Sequence, residues 1–272
     1  MTDAASRTLQ IGPSPRLAVD VMGSGPLVLF LHGIGGNRSN WHEQLPAFAP
    51  HFTAVAWDAR GYGGSEDYEG PLAFDEFAHD LRRVVDHFGA AKAHLVGLSM
   101  GGRISMRFAL LYPQRVASLT LVDTDRGFST LSAEKRAEFV ASRRDPLLAG
   151  KEPRDIADKV ARSLMSPAAP PEVLARLVAS ITALRKTSYL KSLEATVNQD
   201  LVGDLTGITM PTHFVVGAED RLTPPHLSEA MHRDLPGSAL TIIPGAGHLS
   251  NIEKPEAFNA AVLAFLLRHR EA

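Results

Sequence analysis

Short apolar runs rich in β-branched residues alternate along this chain with longer stretches in which apolar residues recur at helical spacing. The short runs fall at residues 8–11, 16–22, 27–31, 53–57, 93–96, 118–122, 212–216 and 240–243, and predict eight strands. The first two flank Gly12-Pro13-Ser14-Pro15, a turn that suits an antiparallel hairpin. The others are apolar almost throughout, as expected of parallel strands covered on both faces. Between them, Phe77, Leu81, Val84, Val85 and Phe88 form one stripe of a helix, and Phe258, Val262, Phe265 and Leu266 form another, entered at Pro255. The predicted fold class is therefore α/β, a mostly parallel eight-stranded sheet flanked by helices.

The alternation stops between about residues 127 and 203, where no convincing strand occurs and Pro146, Pro153, Pro167, Pro170 and Pro171 punctuate helix-forming sequence. This reads as a helical insertion at 126–203 into a domain formed by 1–125 and 204–272. Residues 126–200 hold 13 Lys plus Arg against nine Asp plus Glu, a surplus of four positive charges, while the remainder carries six negative. A solvated helical surface accounts for that surplus; attraction of an anionic substrate is the alternative. No internal repeat is present, which excludes a solenoid.

Composition removes further classes. The 272 residues carry 28 Lys plus Arg, 30 Asp plus Glu and a formal charge of -2, so no global field draws nucleic acid or an anionic membrane. With no cysteine there is no disulfide, no thiolate nucleophile and no Cys-bound metal. The first twelve residues lack a charged segment followed by an apolar one, and no apolar run approaches a membrane span. The expectation is a soluble, unprocessed, cytoplasmic protein of unknown oligomeric state.

The sharpest chemical signal is Gly97-Leu98-Ser99-Met100-Gly101, between an expected strand and an expected helix. A G-x-S-x-G turn in that setting lifts the serine hydroxyl into a cleft at a helix N-terminus, although a plain Gly-Ser turn would share the pentapeptide. Serine needs a base. Of 11 histidines, His42, His51, His79, His87, His94 and His269 read as surface residues, whereas His248 follows Gly247 on a loop after a strand, where open α/β sheets place ligands. The orienting acid is expected from Glu219-Asp220 after another strand, with Asp220 preferred to Glu219. His32-Gly33-Ile34-Gly35-Gly36, after the third strand, supplies an oxyanion hole through the backbone N–H groups of Ile34 and Met100. Gly33-x-Gly35 lacks the third glycine of a dinucleotide fingerprint, because position 38 is Arg, and Gly61-x-Gly63 fails likewise at Glu66.

Taken with the run from Asp58 to Ser65 (DARGYGGS), the elbow at Ser99, Gly217-Ala218-Glu219-Asp220 and Gly247-His248, the chain resembles the α/β-hydrolase superfamily along essentially its whole length. The resemblance implies structural roles for Asp58, Arg60 and Ser65 and makes the insertion a cap over the site. Serine at position 99, where haloalkane dehalogenases and epoxide hydrolases carry Asp, limits that likeness to the fold. Within the superfamily the motifs look most like bacterial 3-oxoadipate enol-lactonases and small carboxylesterases, with hydrolases of ring-fission products close by. Candidate substrate-binding residues are His32, Gly33, Arg103 and Arg126, with Arg143 or Arg144 as further bases for a substrate carboxylate; Asp123 and Asp125 are read as a cap hinge.

The leading reading is a serine hydrolase of a carboxylic ester or lactone, with Ser99, Asp220 and His248 as triad, a small-molecule substrate, and neither metal nor organic cofactor. Carbon–carbon hydrolysis of a ring-fission product is the enzymatic alternative. A triad-containing ligand sensor with little turnover is the alternative from another class.

Overall fold

The computed structural model describes residues 6–127, 132–198 and 205–270. Their strands are β1 (Arg7–Ile11), β2 (Leu17–Met22), β3 (Leu27–Leu31), β4 (Thr53–Trp57), β5 (Ala93–Leu98), β6 (Val116–Val122), β7 (Thr212–Gly217) and β8 (Ala239–Ile243). The helices are α1 (Gln44–Phe48), α2 (Asp75–His87), α3 (Met100–Leu111), α4 (Ala133–Leu148), α5 (Pro153–Leu164), α6 (Pro171–Thr182), α7 (Lys186–Asn198), α8 (Pro225–Asp234), α9 (Ser250–Glu253) and α10 (Pro255–Arg268). None is long and apolar enough to cross a membrane.

All the strands join one sheet in the order β1-β2-β4-β3-β5-β6-β7-β8. The expected hairpin pairs β1 with β2 antiparallel, β2 pairs antiparallel with β4, and every later neighbour is parallel. Side chains alternate across the sheet with the period of two that strand geometry imposes. Leu29, Leu31, Leu95 and Leu119 join one cluster with Phe77, Leu81 and Val84 of α2 and Ile104 and Phe108 of α3. Val28, Phe30, Val96 and Val122 join another with Phe48 of α1 and Phe258, Val262, Phe265 and Leu266 of α10. With helices on both faces, β3, β5, β6 and β7 are buried at every position, hence their largely apolar sequences.

Two expectations give way. The apolar run at 240–243 predicts a strand covered on both faces, yet β8 is the sheet's edge, and Ile243 is its one buried residue. His94, read as a surface residue, is buried in β5 against Ser118 Oγ at 2.8 Å, and burial pushes its pKa down to about 4.

Between β6 and β7 the described residues form the four helices α4–α7 and no strand. Pro153 and Pro171 open α5 and α6, where a missing N–H leaves no helical bond unmade, while Pro146 sits inside the closing part of α4. Ile156, Val160, Leu177 and Ile181 bury their side chains in the cluster that holds Leu98 and Leu249. These helices therefore pack over the C-terminal ends of the central strands. The expected end of the insertion, residue 203, lies outside the described residues.

Candidate active site

The sharp turn that follows β5 places Ser99 at φ 54°, ψ -115°, a conformation that L-residues seldom adopt and that typically stores about 1–3 kcal/mol. Close approach explains the flanking glycines. A Cβ on Gly97 would meet the Gly101 carbonyl oxygen at 2.3 Å, and one on Gly101 would meet the Leu31 carbonyl oxygen at 2.2 Å. The backbone is pinned as well. Ser99 N–H donates to Val122 O (2.9 Å), and its carbonyl accepts from Gly102 N (2.9 Å) and Thr124 Oγ1 (2.8 Å). The strained residue is thus held by β3, β6 and α3 together.

Met100 is the first residue of α3, so its N–H has no intrahelical acceptor. Ile34 lies on the loop after β3, which presses against the elbow because Gly33 has no side chain; a Cβ there would sit 3.2 Å from Ser99 Cβ. Neither amide, of Ile34 or of Met100, donates to another described group.

Asp220 and His248 come from the loops after β7 and β8. Asp220 Oδ1 accepts from the N–H groups of Leu222 (2.8 Å) and Thr223 (2.9 Å), and Oδ2 from Thr223 Oγ1 (2.7 Å) and His248 Nδ1 (2.9 Å). A carboxylate facing Nδ1 fixes the proton there and leaves Nε2 as an acceptor. Burial opposes the imidazolium, but the Asp220 charge, its hydrogen bond and Asp123 outweigh it and hold the His248 pKa above its ordinary value. Burial likewise opposes the Asp220 carboxylate, and His248 with Thr223 outweighs it, so Asp220 stays ionised below its usual range. The histidine loop is tied to the helices above it. His248 N–H donates to Leu164 O at 2.8 Å, and a Cβ on Gly247 would meet Ser166 N at 2.5 Å.

Ser99 and His248 line one cavity together with His32–Gly36, Trp41, Leu98 and Leu249. Its roof is Phe139 and Arg143 of α4, Val160 and Leu164 of α5, and Leu177 and Ile181 of α6. The site is thus a largely apolar pocket holding a strained hydroxyl, a polarised imidazole and two open amides. Among the described residues no group of three His, Asp or Glu side chains could hold a metal ion.

The four candidate substrate-binding residues separate. Gly33 and His32 line the cavity. His32 Nδ1 donates to Gly33 O (2.8 Å), its Nε2 accepts from Ala59 N (3.1 Å), and burial lowers its pKa, so it is a neutral brace for the loop after β3. Arg103 is buried beside a smaller cavity under Ser99, but its guanidinium is engaged by Asp125, with Nε 2.8 Å from Oδ1. Arg126 lies off the pocket and pairs with Asp234 of α8. Arg144 is exposed and pairs with its neighbour Asp145. The architectural reading of the Asp58 run fits its contacts: Asp58 accepts from Arg38 N (2.7 Å) and Gly64 N (2.7 Å), and Arg60 grips Asp80 at 2.6 and 2.8 Å.

Asp123 is a correction. Read as a hinge, it is a fully buried tie at φ 44°. Its Oδ1 accepts from Gly217 N (2.8 Å) and its Oδ2 from Ser250 N (3.0 Å) and Ser250 Oγ (2.6 Å), joining the ends of β6 and β7 to the histidine loop. Burial, then the adjacent Asp220 charge, push its pKa up to about 7. The available signal was position, since Asp123 follows β6 as Asp220 follows β7. Asp125, the other hinge residue, is the partner of Arg103.

Solved structures share this architecture. A hydrolase from Pseudomonas aeruginosa PA01 superposes with a TM-score of 0.85 at 30% identity, over 96% of this chain and 98% of that one. A thermophilic esterase from Thermogutta terrifontis gives 0.83 at 30% identity, over 98% and 100%. By sequence, 3-oxoadipate enol-lactonase 2 of Acinetobacter baylyi is 28% identical over 247 residues, 89% of each chain. The family model for the alpha/beta hydrolase fold matches residues 26–255, and this chain belongs to that family.

Proposed function

We propose that this hydrolase, of the esterase and lactonase type, cleaves a carboxylic ester or lactone, an enol-lactone among them, through an acyl-enzyme on Ser99. The observation that carries the reading is the Asp220–His248 hydrogen bond at 2.9 Å, set in the cavity that also holds Ser99 on its strained turn. Ser99 Oγ attacks the carbonyl carbon while His248 Nε2 takes its proton. The oxyanion settles between the N–H groups of Ile34 and Met100, where preplaced donors are worth about a hundredfold to a thousandfold in rate. Collapse of that intermediate expels the alkoxide, which receives the proton from His248. Water then repeats the sequence on the acyl-enzyme and releases the acid.

The helices of residues 126–203 act in this reading as a cap. They exclude water and shape the acyl pocket over a catalytic domain made of 1–125 and 204–272. The names of relatives support the substrate class, since one is an enol-lactonase and another an esterase.

A fluorophosphonate probe tests the nucleophile. One adduct per chain on wild-type protein, lost in Ser99→Ala while thermal unfolding stays cooperative, is the expected result. Labelling that persists in Ser99→Ala, or hydrolysis above about a tenth of wild type, would overturn the assignment.

A further inference from the structure

Arg143 is 6% exposed, on the roof of the cavity that holds Ser99 and His248. Its Nη1 donates only to Phe139 O (3.3 Å) and Ser142 Oγ (3.0 Å), and its guanidinium lies 3.9 Å from the centroid of the Phe139 ring. No carboxylate pairs with it among the described residues. Burial lowers its pKa, with only Tyr189 opposing, and its charge reaches His248, where it disfavours protonation. A buried, unpaired guanidinium is unfavourable for the folded protein by itself. Other buried arginines of this chain, Arg60 and Arg103, each hold an aspartate.

Arg143 and Phe139 also border a second, larger cavity between α4 and α5 that opens to solvent. Its rim carries Lys135, Lys151, Lys159 and Arg221, all exposed, against Glu138 and Asp155. Asp155 is turned to the backbone N–H of Glu152 at 2.8 Å. The outer side of the wall whose inner side is the reacting pocket therefore carries more cations than carboxylates, Arg221 joining three lysines of the insertion.

We propose that the substrate is an anionic ester or lactone whose free carboxylate is held by Arg143, and that the basic groove between α4 and α5 draws it in. The proposal rests on the reading of Ser99 and His248 as the reacting pair. Arg143 would grip the carboxylate with two parallel N–H bonds, as planar guanidinium allows, while the apolar roof takes the intervening methylenes. Arg143 is thus a specificity residue, and the Ser99 chemistry is common to charged and neutral esters.

The test compares mono-4-nitrophenyl glutarate and adipate with 4-nitrophenyl pentanoate and hexanoate, which replace the free carboxylate by a methyl group. Wild type is expected to favour the anionic member in kcat/KM, and the preference to shrink as salt rises. Arg143→Gln is expected to lower the anionic-to-neutral ratio by about 10- to 100-fold, the range of a charged hydrogen bond, and Arg143→Lys to restore part of it. A Lys135→Gln, Lys159→Gln double variant is expected to flatten the salt dependence while leaving most of the preference. An unchanged ratio in folded Arg143→Gln, or no anionic preference in wild type, overturns the proposal. Glutarate itself separates the two readings, because calorimetric binding to wild type and its loss in Arg143→Gln need no turnover. Should Ser99→Ala still hydrolyse the esters while glutarate binding follows Arg143, the nucleophile assignment fails and the anion site stands. Should glutarate binding ignore Arg143 in protein that turns over through Ser99, the anion site fails alone.

Discussion

The two layers of this molecule treat buried charge in opposite ways. At the C-terminal ends of the strands four buried ionic side chains are answered by opposite charge, Asp58 by Arg38, Arg60 by Asp80, Arg103 by Asp125 and Asp220 by His248, while buried Asp123 is met by the neutral donors of Gly217 and Ser250. In the helical roof, Arg143 is equally buried and is answered by two neutral oxygens and an aromatic face. The paired charges are architecture, since each ties one loop to another and removing either partner strands the other in a low-dielectric interior. The unanswered one is suited to a ligand, because a guanidinium already taken by a carboxylate has nothing to offer a second. Burial and charge alone would rank Arg103 and Arg143 together, and only the partner separates them.

Substitutions that remove one member at a time sharpen the contrast. The largest effect is expected from Asp220→Asn. The Asn oxygen can keep the Leu222 and Thr223 amides, which directs its NH2 at His248 Nδ1 and forces the wrong tautomer. kcat should fall on the order of 10^4-fold with little change in Tm; a fall of less than tenfold would remove Asp220 from the mechanism. Next comes Arg103→Gln, which leaves Asp125 buried without its cation. The expected loss is about 3–5 kcal/mol, seen as a clear drop in Tm or in denaturant midpoint. Arg143→Gln should leave Tm far closer to wild type, and equal losses in the two variants would break the distinction between them.

Asp123→Asn tests the electrostatics behind the imidazole. The Asp123 charge helps hold the His248 pKa up, so removing it lets that pKa fall. The proposed mechanism needs neutral His248, so the acid limb of kcat/KM should move to lower pH, and movement to higher pH would contradict the arrangement. The smallest effect belongs to Arg126→Ala. Its ion pair with Asp234 is surface-exposed, worth about 0–1 kcal/mol, and lies off the pocket. Turnover of both charged and neutral esters should stay within about twofold of wild type, and a larger loss on anionic esters alone would return Arg126 to the binding site.

Much of this was legible in the linear chain, for reasons that are local. A strand covered on both faces is mostly apolar and ends where polar loop residues begin, so the bounds of β3 and β4 follow to the residue from the chain itself. The elbow needs glycines where backbone meets backbone, and those glycines stand two positions either side of Ser99 whatever else the chain does. Less local features were misread. β8 has an apolar run but a single neighbour, and a run carries no information on its place in the strand order. His94 has no distinguishing sequence neighbours, yet Ser118 on the adjacent strand gives its ring a buried partner.

The site divides along the same line. The placement of Ser99 on its turn, of the glycine loop around Ile34, and of Asp220 and His248 on loops after strands follows from short-range rules of turn geometry and from their order along the chain. Which carboxylate meets which cation does not. Asp123 and Asp125 are two residues apart and were read alike, but successive turns at the end of β6 send one to Ser250 and Gly217 and the other to Arg103. Arg126, Arg143 and Arg144 were likewise interchangeable as sequence. Tertiary packing gave Arg126 to α8 and Arg144 to its neighbour, and left Arg143 in the roof without a carboxylate among the described residues, because ion pairing acts across space between segments whose approach is decided by the packing of the whole fold.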